Sequence, residues 1–172
     1  MKVLSAFFIF FYALVVQPAY SHDFSFPAFM TLPEKCEEVP LDEIKDICEV
    51  YGLNDLWNKI ESDPPPKVFK SDGCSLWVDS WRGVNLYPIC FFHDLKYWSG
   101  RPGEEDERLI ADLELMINVM EKGLPIMALV MFVGVRVCGH ECLGMPFSWG
   151  FGRTSREDKC PLQFHDFVES KN

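Results

Sequence analysis

The stretch Pro88-Ile89-Cys90-Phe91-Phe92-His93-Asp94-Leu95-Lys96-Tyr97-Trp98 decides how this chain is read. Pro88 suits the first turn of a helix, where its missing N–H would be unsatisfied anyway. Ser99-Gly100-Arg101-Pro102-Gly103 is a break, so a helix is predicted from about Pro88 to Trp98. Within it, Cys90, Asp94 and Tyr97 follow an i, i+4, i+7 spacing, and His93 and Tyr97 are i, i+4 neighbours. One face therefore carries a cysteine, an imidazole, a carboxylate and a phenol. Working outward, Glu104 to Glu121 is the clearest helix of the sequence. Its acidic start complements the helix dipole, and Gly123 stops it. Leu109, Leu113, Met116 and Met120 are predicted to form its apolar stripe, with Asp112 at the edge.

These residue types suggest a chemistry. A neutral imidazole can take a proton from water if its other nitrogen is held by an acceptor. Asp112, arriving on an antiparallel helix, could be that acceptor for His93. Asp94 is badly placed for the task, because adjacent helical residues diverge. It is free to face Asp72-Gly73 in the loop Ser71-Asp72-Gly73-Cys74-Ser75. Two carboxylates with backbone carbonyls make a hard oxygen site that suits Ca²⁺. Such a cation would polarise an ester carbonyl under attack by water. Singly, each residue has an ordinary role: a packed histidine, a solvated helix aspartate, a turn before glycine, an aspartate edging a stripe, a core tyrosine. The joint pattern carries the information.

That pattern, Asp72-Gly73-Cys74-Ser75 followed by Pro88-Ile89-Cys90-Phe91-Phe92-His93-Asp94-Leu95-Lys96-Tyr97, resembles the secreted phospholipase A2 superfamily, most of all its short bacterial and fungal type. The resemblance spans about residues 70–122. It implies that His93 activates water, that Asp112 orients His93, and that Tyr97 bonds Asp112. It implies Asp72, Asp94 and the Gly73 carbonyl as Ca²⁺ ligands, and a Cys74–Cys90 disulfide tying loop to helix. The implied fold is all-α and disulfide-stapled, with two antiparallel core helices and an additional apolar helix. The implied activity is calcium-dependent hydrolysis of the sn-2 ester of phospholipids, with a phospholipid aggregate or membrane surface as partner. The Gly-rich calcium loop and the double cysteine of the animal enzymes are absent, and Phe91 stands where the second of those cysteines would be. A non-enzymatic module on the same scaffold, binding lipid or a protein partner, is the alternative.

The rest of the chain frames these expectations. Its 172 residues are 48% hydrophobic and 15% aromatic, enough to bury a core. A formal net charge of −10 leaves no basic footprint for nucleic acid, and net charge does not steer it to anionic surfaces. Residues 1–21, with Lys2, the apolar run Ala6 to Val16 and Ala19-Tyr20-Ser21, read as a cleaved secretory leader, or else as an uncleaved anchor. Secretion makes disulfides the default for the 7 cysteines. Their odd number leaves one thiol over, and that thiol or the apolar segment offers a route to a homodimer. No Cys-x-x-Cys pair, zinc-like thiolate set or Gly-x-Ser-x-Gly elbow occurs. Residues 22–66 read as an N-terminal extension with short helices at Leu41 to Tyr51 and Leu53 to Ile60. Pro64-Pro65-Pro66 forces an extended boundary. Residues 67–172 then hold the phospholipase A2-like domain, with residues 72–87 as an ordered loop. Leu124 to Val137 is almost wholly apolar and, at about 21 Å as helix, too short for an ordinary span. It is expected to pack mainly inside the protein or a dimer, with at most one side touching lipid; a membrane-surface element is the other reading. A Gly-rich tail carries Trp149 and Cys160.

Overall fold

The computed structural model describes residues 31–75, 77–139 and 151. The leader and most of the tail, including Trp149 and Cys160, lie outside the described residues. The described chain is mostly helical, in the order α1 (Leu41–Val50), α2 (Asn54–Ser62), β1 (Ser80–Trp81), β2 (Val84–Asn85), α3 (Tyr87–Ser99), α4 (Glu105–Glu121) and α5 (Pro125–Cys138). The strands form one antiparallel hairpin, with Ser80 opposite Asn85 and Trp81 opposite Val84. The expectation of a mostly helical, all-α chain stands, with this small hairpin added to it. Two-residue strands are too short to leave an alternating pattern in sequence.

Helix α1 buries Ile44, Ile47 and Cys48, the spacing of one helical face, while Leu41 stays exposed. The triple-proline segment is bridged from both sides. Val39 pairs with Phe69 across it, Cys36 N–H donates to the Ser71 carbonyl at 2.7 Å, and Lys59 pairs with Glu107. The residues before the prolines thus brace the loop that leads to α3.

Helices α3 and α4 run antiparallel. His93 meets Asp112, while Tyr97, one turn on, meets Arg108, one turn back. The buried face of α4 is Arg108, Ala111, Asp112, Leu115 and Val119. This corrects the predicted stripe, since Leu109 and Met120 are exposed. Hydrophobicity alone placed the face one position off, because two of the inward positions hold charged residues.

The core around the site joins Leu86, Ile89 and Cys90 to Leu115 and Val119 of α4 and to Met127, Ala128 and Met131 of α5. Cys74 and Cys90 are disulfide-bonded with Cα atoms 5.1 Å apart. A loop of this length contributes about 3 kcal/mol by chain entropy and fixes the Asp72 loop on α3. Cys36 is also in a disulfide. The Cys48 thiol is free and buried, which pushes its pKa up to about 12, so it is inert at neutral pH.

Within the chain itself, Leu124 to Val137 is packed on one side only, which leaves the other side for the expected dimer seam or lipid contact. One side of α5 packs inward through Met127, Ala128 and Met131. Ile126 (82% exposed), Leu129 (59%), Val133 (52%) and Val137 (57%) lie open on another face. No helix among the described residues is long and apolar enough to cross a membrane.

Candidate active site

Pro88 in its first turn starts α3, and the Cys74–Cys90 bond clamps its start to the loop. That loop turns at Gly73, whose φ of +70° favours glycine. A Cβ there would lie 2.3 Å from Lys35 Cε and 2.6 Å from Asp79 Oδ1. Asp79 pairs with Lys35 and accepts from Cys74 N–H at 3.0 Å, which fixes the turn from below. At the other end of α3, Gly100 lets the Phe151 ring approach, since a Cβ would sit 2.5 Å from Phe151 Cε1. Phe151 then stacks edge-on against Tyr97 at 5.2 Å.

The facing helices bring His93, Tyr97 and Asp112 together. His93 Nε2 lies 2.8 Å from Asp112 Oδ1, and Tyr97 OH donates to the same oxygen at 2.6 Å. Asp112 is fully buried. Burial pushes its carboxyl up, but hydrogen bonds from His93, Tyr97 and Arg136 hold it below the usual carboxylate range. An ionised carboxylate only accepts, so Nε2 of His93 carries a proton, and in the neutral imidazole Nδ1 is left to accept. Burial opposes a charge on His93, yet Asp112 and Asp94 more than offset this and raise its pKa above the ordinary 6.5.

Asp94 and Asp72 are buried nearby. Asp94 Oδ1 is 3.9 Å from His93 Nδ1, beyond direct hydrogen bonding, and Asp94 Oδ2 accepts from Ser71 Oγ at 2.6 Å. Asp72 Oδ1 accepts from Ser75 Oγ at 3.0 Å, while its buried Oδ2 has no hydrogen-bond partner. Burial and the charge of Asp94 raise Asp72 well above 3.8. Two buried, mutually repelling carboxylates with an unpaired oxygen fit a hard cation. Among the described residues, no group of three acidic, histidine or cysteine side chains gathers as a metal site, so the remaining ligands would have to be carbonyls and water.

His93, Asp94 and Tyr97 line a cavity of about 220 Å³ whose other walls include Leu115, Val130, Met131 and Gly134. Trp77 stands in its wall and is itself exposed. The pocket is therefore apolar on the α5 side and polar at the dyad. No family model, curated protein or solved structure matches this chain.

Sequence reasoning missed two cations. Arg108, only 2% exposed, donates from Nε to Tyr97 OH at 3.2 Å. Arg136 donates from Nη1 to Asp112 Oδ2 at 2.9 Å. Arg136 is the one charged residue of the apolar helix α5, and that isolation was the available signal.

Proposed function

We propose that this chain is a secreted phospholipase A2-like hydrolase, which cleaves the sn-2 ester of phospholipids with water as nucleophile and Ca²⁺ as cofactor. The observation that carries this reading is the buried His93–Asp112 pair, with Nδ1 free at an apolar pocket beside two cation-starved carboxylates. His93 Nδ1 accepts a proton from water as the water oxygen bonds to the ester carbonyl carbon. Asp112 holds the imidazole in the reactive tautomer and stabilises the imidazolium that forms. The sn-2 carbon–oxygen bond then breaks, and His93 returns the proton to the leaving glycerol oxygen. The products are a fatty acid and a lysophospholipid. Asp72, Asp94 and the Gly73 carbonyl would hold Ca²⁺, which supplies charge for the carbonyl oxygen as the tetrahedral centre develops. Val130, Met131 and Gly134 give the acyl chain an apolar wall. The exposed apolar face of α5, with Trp77 near the pocket, suits a phospholipid surface.

Phospholipid labelled differently in its two acyl chains tests the reading. Release of the sn-2 label with calcium, and of neither label with chelator, is expected. Release of neither label at saturating calcium would favour the non-enzymatic lipid-binding alternative.

A further inference from the structure

Arg136 is the single charged side chain on an otherwise apolar helix, and it reaches past that helix into the site. Its Nη1 donates to Asp112 Oδ2 at 2.9 Å, and its Nη2 lies 3.5 Å from Glu105 Oε2. The other oxygen of Asp112 already accepts from both His93 and Tyr97. A carboxylate held only at Oδ1 can swing about its terminal torsion, which is broad for aspartate. Such a swing would carry the acceptor away from Nε2. With Oδ2 anchored, the swing is blocked.

We infer that Arg136 is a positioning residue for the His93–Asp112 pair, fixing the second carboxylate oxygen so that the first stays aimed at the imidazole. Its own position is fixed by Arg108, whose Nη2 donates to the backbone carbonyls of Val135 at 3.2 Å and Arg136 at 2.9 Å. These carbonyls lie in the last turn of α5, where intrahelical donors run out; the Val135 carbonyl also accepts from the N–H of the capping Gly139 at 2.9 Å. The result is a closed circuit from the end of α5 through Arg108, Tyr97 and Asp112 back to Arg136. A guanidinium suits this place because its separated amino groups reach two carboxylates at once, which one ammonium does not reproduce.

The inference rests on the proposed hydrolysis only for what the pair does, and its geometry is open to a readout that needs no turnover. The test uses the full chain with Arg136→Met and Arg136→Lys. In wild type the hydrogen-bonded His93 Nε2–H gives a deshielded proton resonance. In Arg136→Met that resonance should shift upfield or broaden. The kcat on phospholipid vesicles should fall roughly 10- to 100-fold, with KM and calcium affinity changed by less than about twofold. Arg136→Lys should recover part of both signals. A wild-type kcat and an unchanged resonance in Arg136→Met would overturn the inference, as would a loss expressed mainly in KM or calcium affinity. If the wild type releases no fatty acid, the resonance alone decides: altered supports, unchanged refutes. If Arg136→Met does not fold by circular dichroism, Arg136→Lys decides, since a resonance and kcat identical to wild type would show that the two-pronged anchor is dispensable.

Discussion

Replacing Asp112 with asparagine should reverse the protonation of the imidazole it holds. Three donors converge on the carboxylate: His93 Nε2 at 2.8 Å, Tyr97 OH at 2.6 Å and Arg136 Nη1 at 2.9 Å. An asparagine has one accepting oxygen and one donating amide. Arg136 cannot accept, so the asparagine oxygen must turn toward it, and the amide then faces His93. Nε2 becomes the acceptor, and the proton moves to Nδ1, the nitrogen that must be empty to take a proton from water. The loss should approach the whole general-base contribution, on the order of 10²–10⁴-fold in kcat. Replacing charge-assisted hydrogen bonds by neutral ones should also cost about 1–3 kcal/mol of stability, leaving the fold intact. Fatty-acid release at saturating calcium gives kcat, and calorimetry gives calcium affinity. Nitrogen chemical shifts of His93 give the tautomer directly. A variant within about threefold of wild-type kcat, or one with Nδ1 still unprotonated, would refute this reasoning.

Two further outcomes follow from neighbouring features. Asp72 has a folded pKa raised well above 3.8 by burial and the charge of Asp94, so it costs stability that grows as pH rises through the window between those two values; calcium-free Asp72→Asn should therefore melt higher than wild type at neutral pH, with the gap closing toward about pH 4, and calcium should reverse the order, whereas equal melting curves at every pH would refute the coupling. Leu129 and Val133 are exposed, so Leu129→Asp with Val133→Asp should keep the fold yet weaken partitioning onto phosphatidylcholine vesicles by roughly tenfold or more; unchanged partitioning combined with loss of a sedimenting dimer would assign that face to a second copy of the chain.

How much of this was legible in the sequence differs by element. Helix α3 was readable because Pro88 and the Ser99–Gly103 break bracket it, and His93, Asp94 and Tyr97 stand on it at helical spacing. The span of α4 was equally clear from its acidic start and Gly123. Its inward face was not, because Arg108 and Asp112 occupy core positions that hydrophobicity assigns to the surface. Their burial is tolerable only through partners on α3 and α5; the motif pointed to the α3 partners of Asp112, but not to those of Arg108 or to Arg136 on α5. Helix α5 departs from its composition in the opposite sense. Its composition suits the interior, yet only Met127, Ala128 and Met131 are buried, because a helix at the edge of the core leaves its far side open. Arg136 was visible as an exception in an apolar run, but its target lies 24 residues away in sequence. The Cys74–Cys90 bond followed from the motif, whereas the Ser80–Asn85 hairpin is too short to show a period.

The central claim is that His93 activates water for calcium-dependent ester cleavage, and one comparison tests it most directly. Initial rates of fatty-acid release from mixed phospholipid vesicles should be measured for wild type and His93→Ala across a calcium titration. The account predicts wild-type release that saturates with calcium and vanishes with chelator, and release from His93→Ala lower by on the order of 10²–10⁴-fold at unchanged vesicle binding. Equal rates for the two proteins, or wild-type hydrolysis indifferent to calcium, would contradict it.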